Sequence, residues 1–143
     1  RWTKHNLFQY ELKIPMIISS PKYKKNKTSQ SFVELVDLYP TFCDIAGLEI
    51  PYFVQGKSLI DNLKNPKKIT NDIAFSRWQN GETLISNKYY YTEWSRKGSV
   101  THRMLYDIEN DELQMNNIAE IKNNKSIVDS LSRILNKHIK SIN

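Results

Sequence analysis

Residues 73–78 read IAFSRW, residues 82–86 ETLIS, residues 89–94 YYYTEW and residues 104–108 MLYDI. Each run is short and rich in aromatic or β-branched residues, which suit a pleated, half-buried surface. Between them stand Asn80-Gly81, Asn87-Lys88 and Lys97-Gly98, pairs suited to tight connections. The spacing predicts an antiparallel meander of four strands. Residues 109–125, acidic and then asparagine-rich, read as a loop. Beyond them, Ser126 with Asp129 three residues on resembles a capping box. Ile127, Leu131, Ile134, Leu135, His138 and Ile142 then fall on one helical face, with His138 read as a packed histidine. A helix laid on one face of the sheet makes residues 69–143 a small α+β subdomain.

Upstream the pattern changes. Residues 1–12 are polar and aromatic with no clean period and read as a loop or a short irregular segment. Ile14 to Ser19 is a short, nearly continuous apolar run, as expected of a strand covered on both faces in a parallel α/β sheet. Residues 21–30 read as an exposed lysine- and serine-rich loop. Phe32 to Val36 alternates like a strand, Asp37 reads as an N-cap, Leu38 to Ala46 as a helix with Pro40 in its first turn, and Gly47 as its left-handed stop. Residues 51–68 read as a connector. Residues 1–68 are thus expected to be the end of a larger α/β unit, since two strands fall short of an ordinary parallel sheet.

Composition limits the function. The chain has 143 residues and a formal net charge of +6, with a pI near 9.3. That balance favours anionic partners. One cysteine excludes an internal disulfide framework, and its apolar helical setting suggests a buried thiol. No apolar run is long enough to span a membrane. No signal peptide is legible, and the opening on Arg1 in mid-pattern suggests that the true N-terminus lies further upstream.

Self-contained catalysis is not expected. The chain has no glycine-rich phosphate loop, no His-Glu-x-x-His and no Gly-x-Ser-x-Gly. Two clusters could touch a substrate. In Trp2-Thr3-Lys4-His5, lysine offers a compact charge suited to a tetrahedral anion, and histidine can donate a proton to a leaving oxygen. By spacing alone these are also ordinary surface residues. The second cluster is Arg77-Trp78 with Tyr89 to Trp94, where aromatics could stack on sugars and arginine could pair with anions. Alternating aromatics are equally what a small sheet buries.

Five motifs in order resemble one family. Trp2-x-Lys4-His5 with Phe8 and the stretch Lys13 to Pro21 is similar to the segment of type I sulfatases that follows their second pair of metal ligands. Val36-Asp37-Leu38-Tyr39-Pro40-Thr41 with Ala46-Gly47-Leu48 resembles their VDLYPT…LAGL helix, and Gln55 to Leu59 resembles their GKSL connector. Tyr89 to Trp94 resembles their YRYTEW strand. Leu105-Tyr106-Asp107, Asn110-Asp111 and Asn117-Ile118-Ala119 resemble the LYD…NDP…NLA pattern. FVELVDLYP and YYYTEW suggest the iduronate-2-sulfatase-like branch.

The resemblance implies the C-terminal part of an alkaline-phosphatase-like α/β fold. It implies a calcium ion and a formylglycine nucleophile, a sulfated carbohydrate as substrate rather than nucleic acid, and the upstream part of the same sulfatase chain as partner. It implies a secreted, periplasmic or lysosomal-type location. By the same resemblance Lys4 would contact the sulfate, with His5 beside it. Trp2 would line the pocket, and Arg77, Trp78 and Trp94 would read the rest of the substrate. The maturation motif is missing, since Cys43 is followed by Asp44-Ile45-Ala46, and no Asp-Asp or Asp-His pair precedes Trp2. Nucleophile and metal ligands are therefore expected upstream, and this chain alone is expected to be inactive. Two other readings remain: a phosphatase or phosphodiesterase of the same superfamily, and a non-catalytic basic module that binds acidic polysaccharide or nucleic acid.

Overall fold

The structure is a computed structural model and describes residues 5–23 and 25–142. Trp2 and Lys4 lie outside the described residues. Two compact units emerge. One joins the residues up to Pro15 with those from Phe75 onward, and the other runs from Met16 to Ala74.

The first unit is built on a four-stranded sheet in the order β1 (Ile73–Trp78), β2 (Gly81–Ser86), β3 (Tyr89–Arg96), β4 (Ser99–Asp107). The predicted antiparallel meander is observed. β2 pairs with β3 through Gly81↔Trp94, Thr83↔Thr92 and Leu84↔Tyr91. β3 pairs with β4 through Tyr91↔Leu105 and Trp94↔His102. β4 begins five residues before the predicted run, because pairing with β3 carries the polar stretch Ser99 to Arg103 into the sheet.

Strand alternation sorts the side chains onto two faces, and both faces are covered. On one, helix α4 (Lys125–Ile142) lies against β2 and β3 and buries Val128, Leu131 and Leu135. Its C-terminal half is held by His138, whose ring stacks on Phe75 of β1 with centroids 3.7 Å apart and planes within 3°. Leu84, Tyr91 and Leu105, in register across three strands, fill this face with no exposed surface. On the other face lies the N-terminal segment with its short helix α1 (Gln9–Leu12). Leu7 is buried, and Phe8 packs on Tyr106 at 6.1 Å. The Gln9 amide donates to Gln114 Oε1 at 2.6 Å. Glu11 holds the bend by accepting from the Asn6 backbone and side-chain amides at 3.1 and 2.6 Å.

The start of α4 departs from the reading above. A 3₁₀ turn over Lys122–Asn124 runs straight into the helix at Lys125, so Ser126 sits inside the first turn rather than ahead of it. The Asn124 side chain donates to Ile118 O at 3.0 Å, which winds the chain up early. The buried stripe is rotated accordingly. Val128 takes the core position, and Ile134 is 38% exposed.

The second unit carries α2 (Leu38–Ala46) and α3 (Ile60–Lys64). Neither strand expected here forms among the described residues. Ile14 to Ser19 is extended without a ladder partner, and Ile17 is 93% exposed. A strand exists only by pairing, and the described chain brings no neighbour to this run. Phe32 to Val36 ends instead in a 3₁₀ turn, Leu35–Asp37. The cause is Asp37, whose carboxylate reaches back to the Glu34 amide at 2.9 Å in a capping box. Asp37 therefore serves that turn and not α2, to which its side chain gives no cap. Gly47 does close α2 in the left-handed region, at φ 71°, and Cys43 is buried as expected.

Two of the sequence motifs prove to be one hydrogen-bonded unit. Asp37 Oδ1 accepts from the Lys57 amide at 2.8 Å. The Thr41 hydroxyl donates to Asp37 O at 2.6 Å and accepts from the Leu59 amide at 2.9 Å. The VDLYPT helix and the GKSL connector thus satisfy each other's buried polar groups. Gly56 makes the approach possible, since a Cβ there would lie 2.0 Å from Val36 O.

Two outcomes follow for equilibrium unfolding in urea. Gly56→Ala should lower stability by about 1–3 kcal/mol, because backbone rather than a flexible side chain must move; an unchanged midpoint would contradict the packing. The second concerns pH. Burial first of all depresses the His138 pKa, with Arg77 adding to the effect and Glu82 opposing it. The folded state then binds a proton less readily than the unfolded one. This contribution should be fully present above about pH 6.5 and be lost as pH falls through the lowered folded value. His138→Phe should flatten that fall, and an identical pH profile in the variant would contradict the assignment.

Candidate functional site

The two sheet faces separate residues that are adjacent in sequence. Arg77 and Trp78 are consecutive on β1 and so point to opposite sides. Arg77, on the helix side, forms an ion pair with Glu82 of β2. Glu82 stands opposite Glu93 of β3, and Glu93 opposite Arg103 of β4, with Arg103 Nε 3.5 Å from Glu93 Oε1. The four side chains form a row across the whole sheet in the order Arg, Glu, Glu, Arg. Glu93 is 3% exposed and also accepts from the Tyr91 hydroxyl at 2.6 Å. Burial, then the Glu93 carboxylate, push the Tyr91 phenol well above its ordinary range. Burial alone pushes Tyr90 up to about 12. Neither tyrosine is poised to exchange a proton near neutral pH. The row is internally neutral, and its carboxylates have protein partners.

The opposite face is different. His5, exposed at the start of the described chain, stacks on Trp78 with centroids 5.0 Å apart and planes within 8°. Gly81, the first residue of β2, lies beneath both Trp94 and Leu7. A Cβ there would come within 2.7 Å of the Trp94 indole nitrogen and 2.8 Å of Leu7 Cδ1. Trp94 in turn stands opposite His102. The structure therefore brings together three of the residues singled out above, His5, Trp78 and Trp94, at one end of one face. It places Arg77 on the other side.

Arg77 was singled out from sequence, but the charged row as a unit and His102 were not. The row was legible in principle as charged residues at strand positions, but only the register reveals that they line up.

No metal centre is visible among the described residues. No three His, Cys, Asp or Glu side chains come together. In the acidic turn after β4 both carboxylate oxygens of Asp107 and of Asp111 are engaged by local donors: Asp107 accepts from the Glu109 amide and the Asn110 side chain, and Asp111 from the Met115 and Asn116 amides. These donor sets do not fit a calcium ion. No described helix is long and apolar enough to cross a membrane.

Comparison with known proteins gives the frame for this geometry. Arylsulfatase K from Bos taurus is 31% identical over 81% of this chain and 24% of its own length. An N-acetylglucosamine-6-O-sulfatase from Bacteroides thetaiotaomicron is 33% identical over 78% of this chain and 22% of its own. The chain thus spans about a quarter of the length of the curated relatives it matches. Among solved structures, one in complex with its substrate D-glucosamine-2-N,6-O-disulfate superposes with a TM-score of 0.66 at 23% identity, over 74% of this chain and 24% of that one. A phosphonate monoester hydrolase from Silicibacter pomeroyi superposes with a TM-score of 0.77 at 20% identity, over 87% of this chain and 28% of that one. At such identities these two show the fold, that of the alkaline-phosphatase-like sulfatases, with its small antiparallel sheet and C-terminal helix. The family profile described as "N-sulphoglucosamine sulphohydrolase, C-terminal" matches residues 1–141, and the chain belongs to that family of sulfatase C-terminal domains.

Proposed function

We propose that the protein carrying this chain hydrolyses sulfate esters of a sulfated carbohydrate, and that this chain supplies one wall of the site. The observation that carries the reading is the stack of His5 on Trp78. It fastens His5, the residue that follows Lys4 in sequence, to β1 of the sheet. A proton donor must be held to within a hydrogen bond of the oxygen it serves, and sites built on strands hold geometry better than free loops.

In this scheme the Lys4 ammonium contacts the sulfate as a point charge. The His5 imidazole gives its proton to the alcohol oxygen as the sulfur–oxygen bond breaks. Trp2 and Trp94 line the approach of the sugar, and Trp78 fixes His5 from behind. Arg77 acts from the opposite face, holding β1 to β2 through Glu82. The formylglycine nucleophile and the calcium ligands belong upstream of Trp2, so the 143-residue chain is inactive by itself. A secreted, periplasmic or lysosomal-type compartment goes with this reading. The iduronate-2-sulfatase-like branch rests on the FVELVDLYP and YYYTEW motifs. A phosphoester or phosphonate hydrolase is the second reading, favoured by the superposition on the Silicibacter pomeroyi enzyme.

The test is steady-state kinetics of the full-length protein. His5→Ala should lower kcat by about 10²-fold, the lower range for loss of a general acid. Trp78→Ala should lower kcat in the same direction by less, with partial recovery in Trp78→Phe. Full kcat in both alanine variants would overturn the proposed roles. Turnover of an aryl sulfate by the isolated chain would overturn its inactivity, and faster hydrolysis of a phosphonate ester than of any sulfate ester would favour the second reading.

A further inference from the structure

The β3–β4 hairpin is longer than the sheet needs. β2 begins at Gly81 opposite Trp94, and Asn80 closes that end by accepting from the Ser95 amide at 3.0 Å and donating to Ser95 O at 2.9 Å. Beyond this point β3 and β4 continue alone, with Arg96 paired to Ser99. The turn between them has Lys97 at φ 51° and Gly98 at φ 78°. Two consecutive left-handed residues make a type I′ turn, whose twist matches the strands and keeps a short hairpin stiff.

At its base the ladder is irregular. Trp94 pairs with His102 but Ser95 with Val100, leaving Thr101 as an extra residue on β4. The Thr101 hydroxyl donates to Trp94 O at 3.1 Å, and His102 Nδ1 lies 3.1 Å from that hydroxyl. A bulge of this kind bends a strand and re-aims its side chains. Here it bends the hairpin at the residue that carries the aromatic wall.

Charge on this projection has one sign. Residues 95–102 contain Arg96, Lys97 and His102 and no acidic residue, and all three are exposed. The nearest carboxylate in sequence, Glu93, is buried on the other face. Among the described residues neither Arg96 nor Lys97 forms an ion pair, whereas Arg77, Arg103 and Lys68 do. Arg96 lies about 7 Å along the strand beyond Trp94, at the strand rise per residue. That is the scale of a neighbouring sugar ring.

We propose that the β3–β4 hairpin is a second anion subsite, in which Arg96 and Lys97, with His102 at the base, bind a sulfate or carboxylate on the sugar next to the one lying against Trp94. This deepens the reading of the protein as a carbohydrate sulfatase and rests on it. The consequence is a preference for charged oligosaccharides over a sulfated monosaccharide. Two exposed charges at a projecting tip act through a screened field, so the preference weakens with salt.

The experiment uses the full-length protein and the double variant Arg96→Thr, Lys97→Asn. Asparagine suits the left-handed position, so the turn is kept. Two substrates carry the same target ester, a sulfated monosaccharide and a sulfated octasaccharide. The variant should raise KM for the octasaccharide by about tenfold, the effect of roughly 1.4 kcal/mol, and leave the monosaccharide KM and both kcat values unchanged. The salt dependence of the octasaccharide KM should flatten. An equal change for both substrates, or no change for either, would overturn the subsite while leaving the sulfatase reading intact. If neither substrate is turned over, octasaccharide binding is read by calorimetry. Affinity that falls with salt and is lost in the variant would support the subsite and overturn the sulfatase reading. Affinity unaffected by the variant would overturn the subsite too.

Discussion

The sheet is buried on both faces, and most of the first unit follows from that constraint. A four-stranded antiparallel sheet usually leaves one side to water. Here Leu84, Tyr91 and Leu105 face α4, while Gly81 and Tyr106 face the segment from His5 to Leu12. Tyr90 to Glu93 are consequently buried without alternation, apolar and polar alike. Each polar member has been given a partner: the Thr83 and Thr92 hydroxyls lie 2.9 Å apart, and Glu93 has Tyr91 and Arg103. Burying a carboxylate without such partners costs far more than it returns.

This arrangement ties the N-terminal segment to the sheet. In the function proposed above, the residues at the sulfate come from the start of the chain, and the strands come after a separate unit. The described N-terminal segment is held by the His5–Trp78 stack, the Phe8–Tyr106 contact, Leu7 against Gly81 of β2, and the Gln9 amide bonded to Gln114 in the loop after β4. The position of His5 therefore depends on β1 through Trp78.

Much of the fold was legible. The β3–β4 hairpin announced itself through Lys97-Gly98, the β1–β2 turn fell one residue before Asn80-Gly81, at Gln79-Asn80, and α4 showed through its apolar stripe. The failures share a physical cause, which is that a strand is defined by its neighbour. Ile14 to Ser19 has strand composition without a partner among the described residues, whereas Ser99 to Arg103 has poor composition and a good partner in β3. Phe32 to Val36 was lost to a local bond, the Asp37 carboxylate to the Glu34 amide, which hydrophobic alternation does not reveal. Of the candidate site, His5, Trp78 and Trp94 were legible as residue types in motifs, while Lys4 lies outside the described residues. Their grouping was not, because the contact of His5 with Trp78 is long-range, and the parting of Arg77 from Trp78 follows from strand geometry alone.

The most direct test of this account is native-state hydrogen exchange at the Gln9 amide, measured beside the amides of Tyr91 and Thr92. If the N-terminal segment is a layer of the sheet unit, Gln9 exchanges with protection approaching that of β3, and Trp78→Ala lowers it more than it lowers β3. Exchange of Gln9 at the rate of an open chain while β3 stays protected would mean that the segment is not fastened to the sheet, and the positioning of His5 by Trp78 would fail with it.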